Sequence, residues 1–171
     1  LSYVGIDIDK NCMRSHNPEE NIYIRIGSQL NETFLKQICE EFGPFDIVID
    51  DGGHTAHMIR TSLETIFPLD ICMKTESIYA VEDTHTMARC GPHSSYCKSP
   101  TDISLEPCFA FEKMHELWFK EHKSFAWASK VIAVHMFDSL VFYIRGIKKK
   151  LTDYKKGNDH FRPNFTLPEL N

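Results

Sequence analysis

Short apolar runs alternate with amphipathic stretches along the first half of the chain. Tyr3 to Ile8 ("YVGIDI") and Ile22 to Ile26 ("IYIRI") are apolar and β-branched, and both predict strands. After Asn31, a cap residue, Phe34, Leu35, Ile38 and Phe42 recur at helical spacing until Gly43 and Pro44 stop the pattern. Asp46 to Asp50 ("DIVID") is nearly continuous in apolar character, as in a parallel sheet covered on both faces. A second helix comes next, with Ile59, Leu63, Ile66 and Phe67 on one face and Pro68 after it, and Ser77 to Glu82 ("SIYAVE") predicts the next strand. From Thr84 to about Pro107 the pattern lapses into a Gly, Pro and Ser-rich loop, long enough to suggest a role. A helix resumes near Cys108, with Phe111, Met114, Leu117 and Trp118 at helical spacing. Val131 to Phe137 and Leu140 to Arg145, separated by Asp138-Ser139, predict a hairpin.

Strands alternating with helices predict an α/β fold: a Rossmann-like, mostly parallel sheet with helices on both faces and a C-terminal antiparallel hairpin. The domain would span residues 1–146, with 84–107 as a lid-like loop and 147–171 as a polar tail. Ligands on such sheets sit at the carboxyl ends of the strands. Asp7, Gly27, Asp50-Asp51 and Glu82-Asp83 all fall at those ends, on one rim.

Composition narrows the function. A chain of 171 residues that is 42 % hydrophobic can build one domain with a sizeable core. A net charge of -5 argues against a general nucleic-acid binder, and the lysines at 148–150 and 155–156 read as a solvated surface. No apolar run approaches the ~20 residues that span a bilayer, so no membrane role is expected. Six scattered cysteines without a CxxC pair read as reduced thiols, hence a cytoplasmic protein. Asn31-Glu32-Thr33 and Asn164-Phe165-Thr166 fit the N-glycosylation sequon, a pattern common by chance.

The rim carries the chemistry. Asp51, Glu82 and Asp83 are three carboxylates on two strand ends, and crowded carboxylates resist ionisation unless a cation neutralises them. A hard divalent cation such as Mg2+ takes all-oxygen ligands and keeps positions open. It can turn a bound hydroxyl into a nucleophile, with His54 as the base. Gly52 and Gly53 permit a sharp turn there. Asp7 can accept hydrogen bonds from both hydroxyls of a ribose; Asp9 can do the same or cap the next helix. The plainer alternative is that Asp50 or Asp51 only caps the helix after its own strand. Two rival metal sites are a zinc set from His85, Cys90, His93 and Cys97, and an iron site from His54, His57 and Asp51.

"VGIDID", "GSQ", "FDIVIDDGGHT", "YAVEDTHT" and "VHMFDSLVFYIRG" together resemble the class I S-adenosylmethionine-dependent methyltransferases. More narrowly, they resemble the magnesium-dependent sugar O-methyltransferases of macrolide biosynthesis, of the mycinamicin and demethylmacrocin type. Cephalosporin hydroxylase-like proteins form a related branch. The similarity runs from about residue 3 to residue 146. It implies that Asp7 binds the ribose of S-adenosylmethionine, that Gly27, Ser28 and Gln29 lie near its adenine, and that Asp50 faces the cofactor side. It also implies that Asp51, Glu82 and Asp83 hold Mg2+, that His54 is the general base, and that the acceptor is a hydroxyl of a sugar-like small molecule. Two departures stand out. The family's preceding strand, glycine-rich turn and helix are not in this sequence, so a fragment is expected, unstable and inactive alone. The family's His-Phe-Tyr-Asp is His135-Met136-Phe137-Asp138 here, which puts a substrate role at Phe137 in doubt. A catalytically degenerate domain of the same fold is the alternative. A homo-oligomer stays open, because the apolar 109–119 helix suits an interface as well as a lid.

Overall fold

The computed structural model describes residues 1–84 and 130–147. Strands β1 (Tyr3–Asp7) and β2 (Ile22–Ile26) pair in parallel, joined by two short 3-10 turns. Helix α1 (Glu32–Phe42) leads to β3 (Phe45–Asp50), and α2 (Ala56–Ile66) leads to β4 (Met73–Glu82). The hairpin strands β5 (Val131–Phe137) and β6 (Leu140–Arg145) complete the described chain. The expected helix near Cys108, most of the lid-like loop and residues 148–171 of the tail lie outside the described residues.

The strands form two sheets rather than one continuous one. β1 and β2 stand as a parallel pair, while the second sheet runs in the order β3-β4-β6-β5. Within it β3 and β4 are parallel, and β6 inserts antiparallel between β4 and β5. No described strand pairs with the second edge of β1 or of β3. β4 starts four residues earlier than its apolar run predicts, because Met73 is buried opposite Phe45. The extra residues are absorbed by a register shift between Phe45 and Ile47. In the hairpin turn Ser139 adopts a left-handed φ of 64°.

Helix ends agree with the sequence pattern. Asn31 caps α1 by accepting from the Phe34 N–H at 3.1 Å. At Gly43 a side chain would collide with the Ile71 carbonyl at 2.1 Å, so only glycine lets the chain leave α1 so close to the start of β4. Leu35 and Cys39 of α1 join Ile59, Leu63 and Ile66 of α2 over the inner face of the four-stranded sheet. Phe67, Tyr79, Val81, Val141 and Tyr143 fill the centre of this core, with Phe67 edge-on to both tyrosines. Burying such aromatics contributes about 2–3 kcal/mol each.

Two features pin the lower end of the core. Arg145, 2 % exposed, donates to the carbonyls of Phe67 (3.0 Å), Met73 (2.7 Å) and Lys74 (2.8 Å) and pairs with Asp70. A buried guanidinium is tolerable because its donors are met by carbonyls and a carboxylate. Beside it, Cys39 and Cys72 are joined in a disulfide. This corrects the reading of uniformly reduced thiols: the last turn of α1 and the entry to β4 bring their Cα atoms to 4.6 Å. Cys12 is a free thiol.

Candidate functional site

The carboxyl ends of β3 and β4 lie side by side, because Asp50 is registered with Val81 in a parallel ladder. The rim therefore receives Asp51 from one strand and Glu82-Asp83 from the other. His54 comes from the turn between β3 and α2. Its Nε2 lies 3.9 Å from Asp51 Oδ1 and 3.8 Å from Asp83 Oδ2. One ligand atom from each of Asp51, His54 and Asp83 falls within 4.8 Å of the others. Glu82, the last residue of β4, stands outside this cluster, while Asp83 lies just beyond the strand with a φ of 54°.

Backbone strain concentrates at this rim. His54 and Asp83 both have positive φ, 51° and 54°, a region that costs a non-glycine residue energy unless its surroundings enforce it. The surroundings here are close-fitting. A side chain at Gly52 would meet Gln29 Oε1 at 2.2 Å, and one at Gly53 would meet Met58 Sδ at 2.0 Å. The two glycines thus admit Gln29 and Met58 against the turn. The cap of α2 is Thr55, whose Oγ1 accepts from the Met58 N–H at 3.3 Å, so the capping alternative for Asp50 and Asp51 is filled by another residue.

Asp50, which the resemblance places on the cofactor side, has its carboxylate committed within the protein. It is 7 % exposed and accepts from Gln29 Nε2 (3.0 Å), from Tyr79 OH (3.0 Å) and from Ser62 Oγ. Gln29 turns its other end to accept from the Gly53 N–H at 2.7 Å. Gln29 therefore ties the loop after β2 to the Asp-Asp-Gly-Gly-His turn. Gly27 packs against the Phe34 ring, where a side chain would clash at 2.5 Å, and Ser28 Oγ accepts from the Leu30 N–H at 3.2 Å. Ser62 and Tyr79 were missed in the sequence. Each is a polar group at an inward position of an apolar pattern, the signal that could have found them.

Asp7 sits apart, at the end of β1. It accepts from the Asp9 N–H at 2.8 Å, and this bond, with a weaker one from the Cys12 thiol, holds its carboxyl below the usual range. The same pairing pushes the Cys12 thiol up. Asp9 caps the adjoining 3-10 turn through the Asn11 N–H at 2.9 Å, the capping role left open for it. Asp7 and Cys12 line a cleft of about 410 Å3 with Gly5, Ile6, Ser15 and Ile24. That cleft and the Asp51–His54–Asp83 cluster are separate features of the structure, one on each sheet. Of the rival sites, the zinc set lies outside the described residues. His57, needed for the iron site, is exposed on α2 and outside the rim cluster.

No family model matches the chain. Over 135 residues, 75 % of the chain, it is 33 % identical to an 8-demethyl-8-(2-methoxy-alpha-L-rhamnosyl)-tetracenomycin-C 3'-O-methyltransferase of Streptomyces olivaceus. Over 151 residues, 85 % of the chain, it is 30 % identical to the demethylmacrocin O-methyltransferase of Streptomyces fradiae. The chain is a relative of the class I sugar O-methyltransferases. It spans about a third of the length of these relatives, 33 % and 37 % respectively. The fold agrees with that relationship. MycE methyltransferase from the mycinamycin biosynthetic pathway, solved with Mg and SAH, superposes with a TM-score of 0.68 at 24 % identity. The match covers 90 % of this chain and 39 % of that one. Among the described residues no helix is long and apolar enough to cross a membrane.

Proposed function

We propose that the chain is the catalytic-rim part of an S-adenosylmethionine-dependent, Mg2+-assisted O-methyltransferase acting on a hydroxyl of a sugar-like small molecule. The observation that carries the reading is the convergence of Asp51, His54 and Asp83 on the rim of a chain related to sugar O-methyltransferases. The carboxylates of Asp51 and Asp83 would hold a small hard cation, with the His54 imidazole beside them as the base. When bound, the cation would act as a Lewis acid that eases loss of the acceptor's proton. S-adenosylmethionine would supply the electrophilic methyl group.

The chain's own residues would do the rest. Asp7, held in its carboxylate form by the Asp9 N–H, is suited to accept two hydrogen bonds from a ribose diol at the mouth of its cleft. Gly27, Ser28 and Gln29 border the same loop, with Gln29 and Asp50 fixing the turn that presents Asp51. His54 would take the acceptor's proton at Nε2, where Asp51 and Asp83 face the resulting positive charge. Fixed in advance by strained, well-supported backbone, these groups would accelerate transfer through positioning and charge stabilisation.

Calorimetric titration of the full-length protein with S-adenosylmethionine, with and without Mg2+, tests the reading. Binding is expected, and Asp7→Ala should weaken it at least tenfold. Methyl transfer should need Mg2+ and should be lost in Asp51→Ala. Absence of donor binding, or binding indifferent to Asp7→Ala, sinks the proposal. Donor binding without transfer to any sugar hydroxyl would favour the degenerate domain, and iron-dependent oxygen consumption the oxygenase.

A further inference from the structure

Two features of the molecule take no part in the rim or the cleft: the Cys39–Cys72 disulfide and the sequon Asn31-Glu32-Thr33. We infer that this protein matures in an oxidising, glycosylating compartment, where Cys39 and Cys72 are joined and Asn31 carries an N-linked glycan. Nothing in this inference depends on methyl transfer.

The disulfide is the first observation. Cys39 and Cys72 are 2 % and 0 % exposed, in the same core cluster, and are covalently linked across a separation of 33 residues. Compartments that keep thiols reduced disfavour such structural bonds, whereas the secretory pathway forms and keeps them. Once the core closes, both sulfurs are out of reach of a dissolved thiol, so the bond must form while the chain folds. Formation removes two electrons and two protons from the thiols, accepted by a disulfide-carrying oxidoreductase of that compartment.

The sequon is the second, and its placement is suited to the modification. Asn31, Glu32 and Thr33 are all exposed at the start of α1. Asn31 Oδ1 is used by the helix cap, accepting from the Phe34 N–H, and Nδ2 has no part in that bond. A sugar on Nδ2 therefore leaves the cap intact. In the transfer, the amide nitrogen bonds to the anomeric carbon of a lipid-diphosphate-linked oligosaccharide. The carbon–oxygen bond to the diphosphate breaks, and the amide loses one proton.

The test is site-resolved mass spectrometry on the full-length protein from its own cells, digested without reductant. The expected result is a linked Cys39–Cys72 peptide and conversion of Asn31 to aspartate by peptide N-glycosidase. In a secreting eukaryotic host, Thr33→Ala should remove the glycan and Thr33→Ser should keep it, both with the Asn31 cap in place. Unmodified Asn31, a glycan on Asn164 alone, or Cys39 and Cys72 alkylated as free thiols in unreduced protein would each overturn the inference.

Discussion

The two sheets divide the molecule unequally. The four-stranded sheet has helices packed on it, a disulfide and a fully satisfied buried arginine, and its central residues have no exposure. The β1–β2 pair has one buried hydrophobic residue, Ile24, and leaves Tyr3 and Ile6 exposed. Each nevertheless carries half of the proposed site: the rim cluster on one, the cleft and Asp7 on the other. A polar site can thus be built on a well-supported or a thinly supported sheet, but its tolerance to mutation differs. Two-stranded units are marginal by themselves, and this one is tied to the rest through α1 and the Gln29 bridge.

The largest test of this contrast is in the cores. Phe67→Ala removes a fully buried ring between Tyr79 and Tyr143 and should cost about 3–5 kcal/mol. Ile6→Ala on the exposed face of β1 should cost under about 1 kcal/mol. Urea unfolding of each variant measures both; similar costs would mean that the thin sheet is as well packed as the thick one. Next in size, Cys39→Ser should cost up to about 4 kcal/mol by the loop-closure argument for a separation of 33 residues. Reducing wild type in denaturant before refolding should shrink the difference to the cost of the serine hydroxyl in the core.

A third test separates the neighbours Asp50 and Asp51. Asp50→Ala leaves Ser62, Tyr79 and Gln29 without their common acceptor, for a loss of about 1–3 kcal/mol. Asp51→Ala, at an exposed position, should change stability by no more than about 0.5 kcal/mol while weakening Mg2+ binding at least tenfold. Thermal melts paired with metal titration decide this. Equal destabilisation by the two would remove the division between a supporting and a reacting carboxylate.

This pair of residues also marks how far the sequence could be read. The apolar periodicities placed β1 to β6 and both described helices within a few residues. The strand-end rule put Asp7, Gly27, Asp50-Asp51 and Glu82-Asp83 on one rim; the structure joins Asp51 and Asp83 with His54 and sets Asp7 on the other sheet. What periodicity cannot carry is side-chain direction just beyond a strand, where φ departs from the extended region. His54 and Asp83 both take a positive φ at the rim, while Glu82, still within β4, falls outside the cluster. Pairing at a distance was equally hidden: nothing local marks Cys39 for Cys72, or Ser62 and Tyr79 for Asp50. The split into two sheets was not legible, since strand patterns name elements and not their edges.

The smallest effect is expected at Asp70, where the two ends of the four-stranded sheet's core meet. Lys130 and Arg145 both donate to its carboxylate and hold its pKa below the ordinary 3.8, with the Lys130 bond the larger cause. A carboxyl lowered on folding binds its proton more weakly in the folded state than in the unfolded chain. Its contribution is therefore present above about pH 3.8 and lost as pH falls through the lower, folded value. Asp70 is largely exposed, so solvent and salt screen the pairing and the effect is modest. Asp70→Asn should lower the melting temperature slightly at neutral pH and in low salt, with the difference shrinking in about 1 M salt and vanishing at the acid end. A difference unchanged from neutral to strongly acidic pH would mean that Asp70 acts by hydrogen-bond geometry alone. Arg145 would then be held by the Phe67, Met73 and Lys74 carbonyls without help from charge.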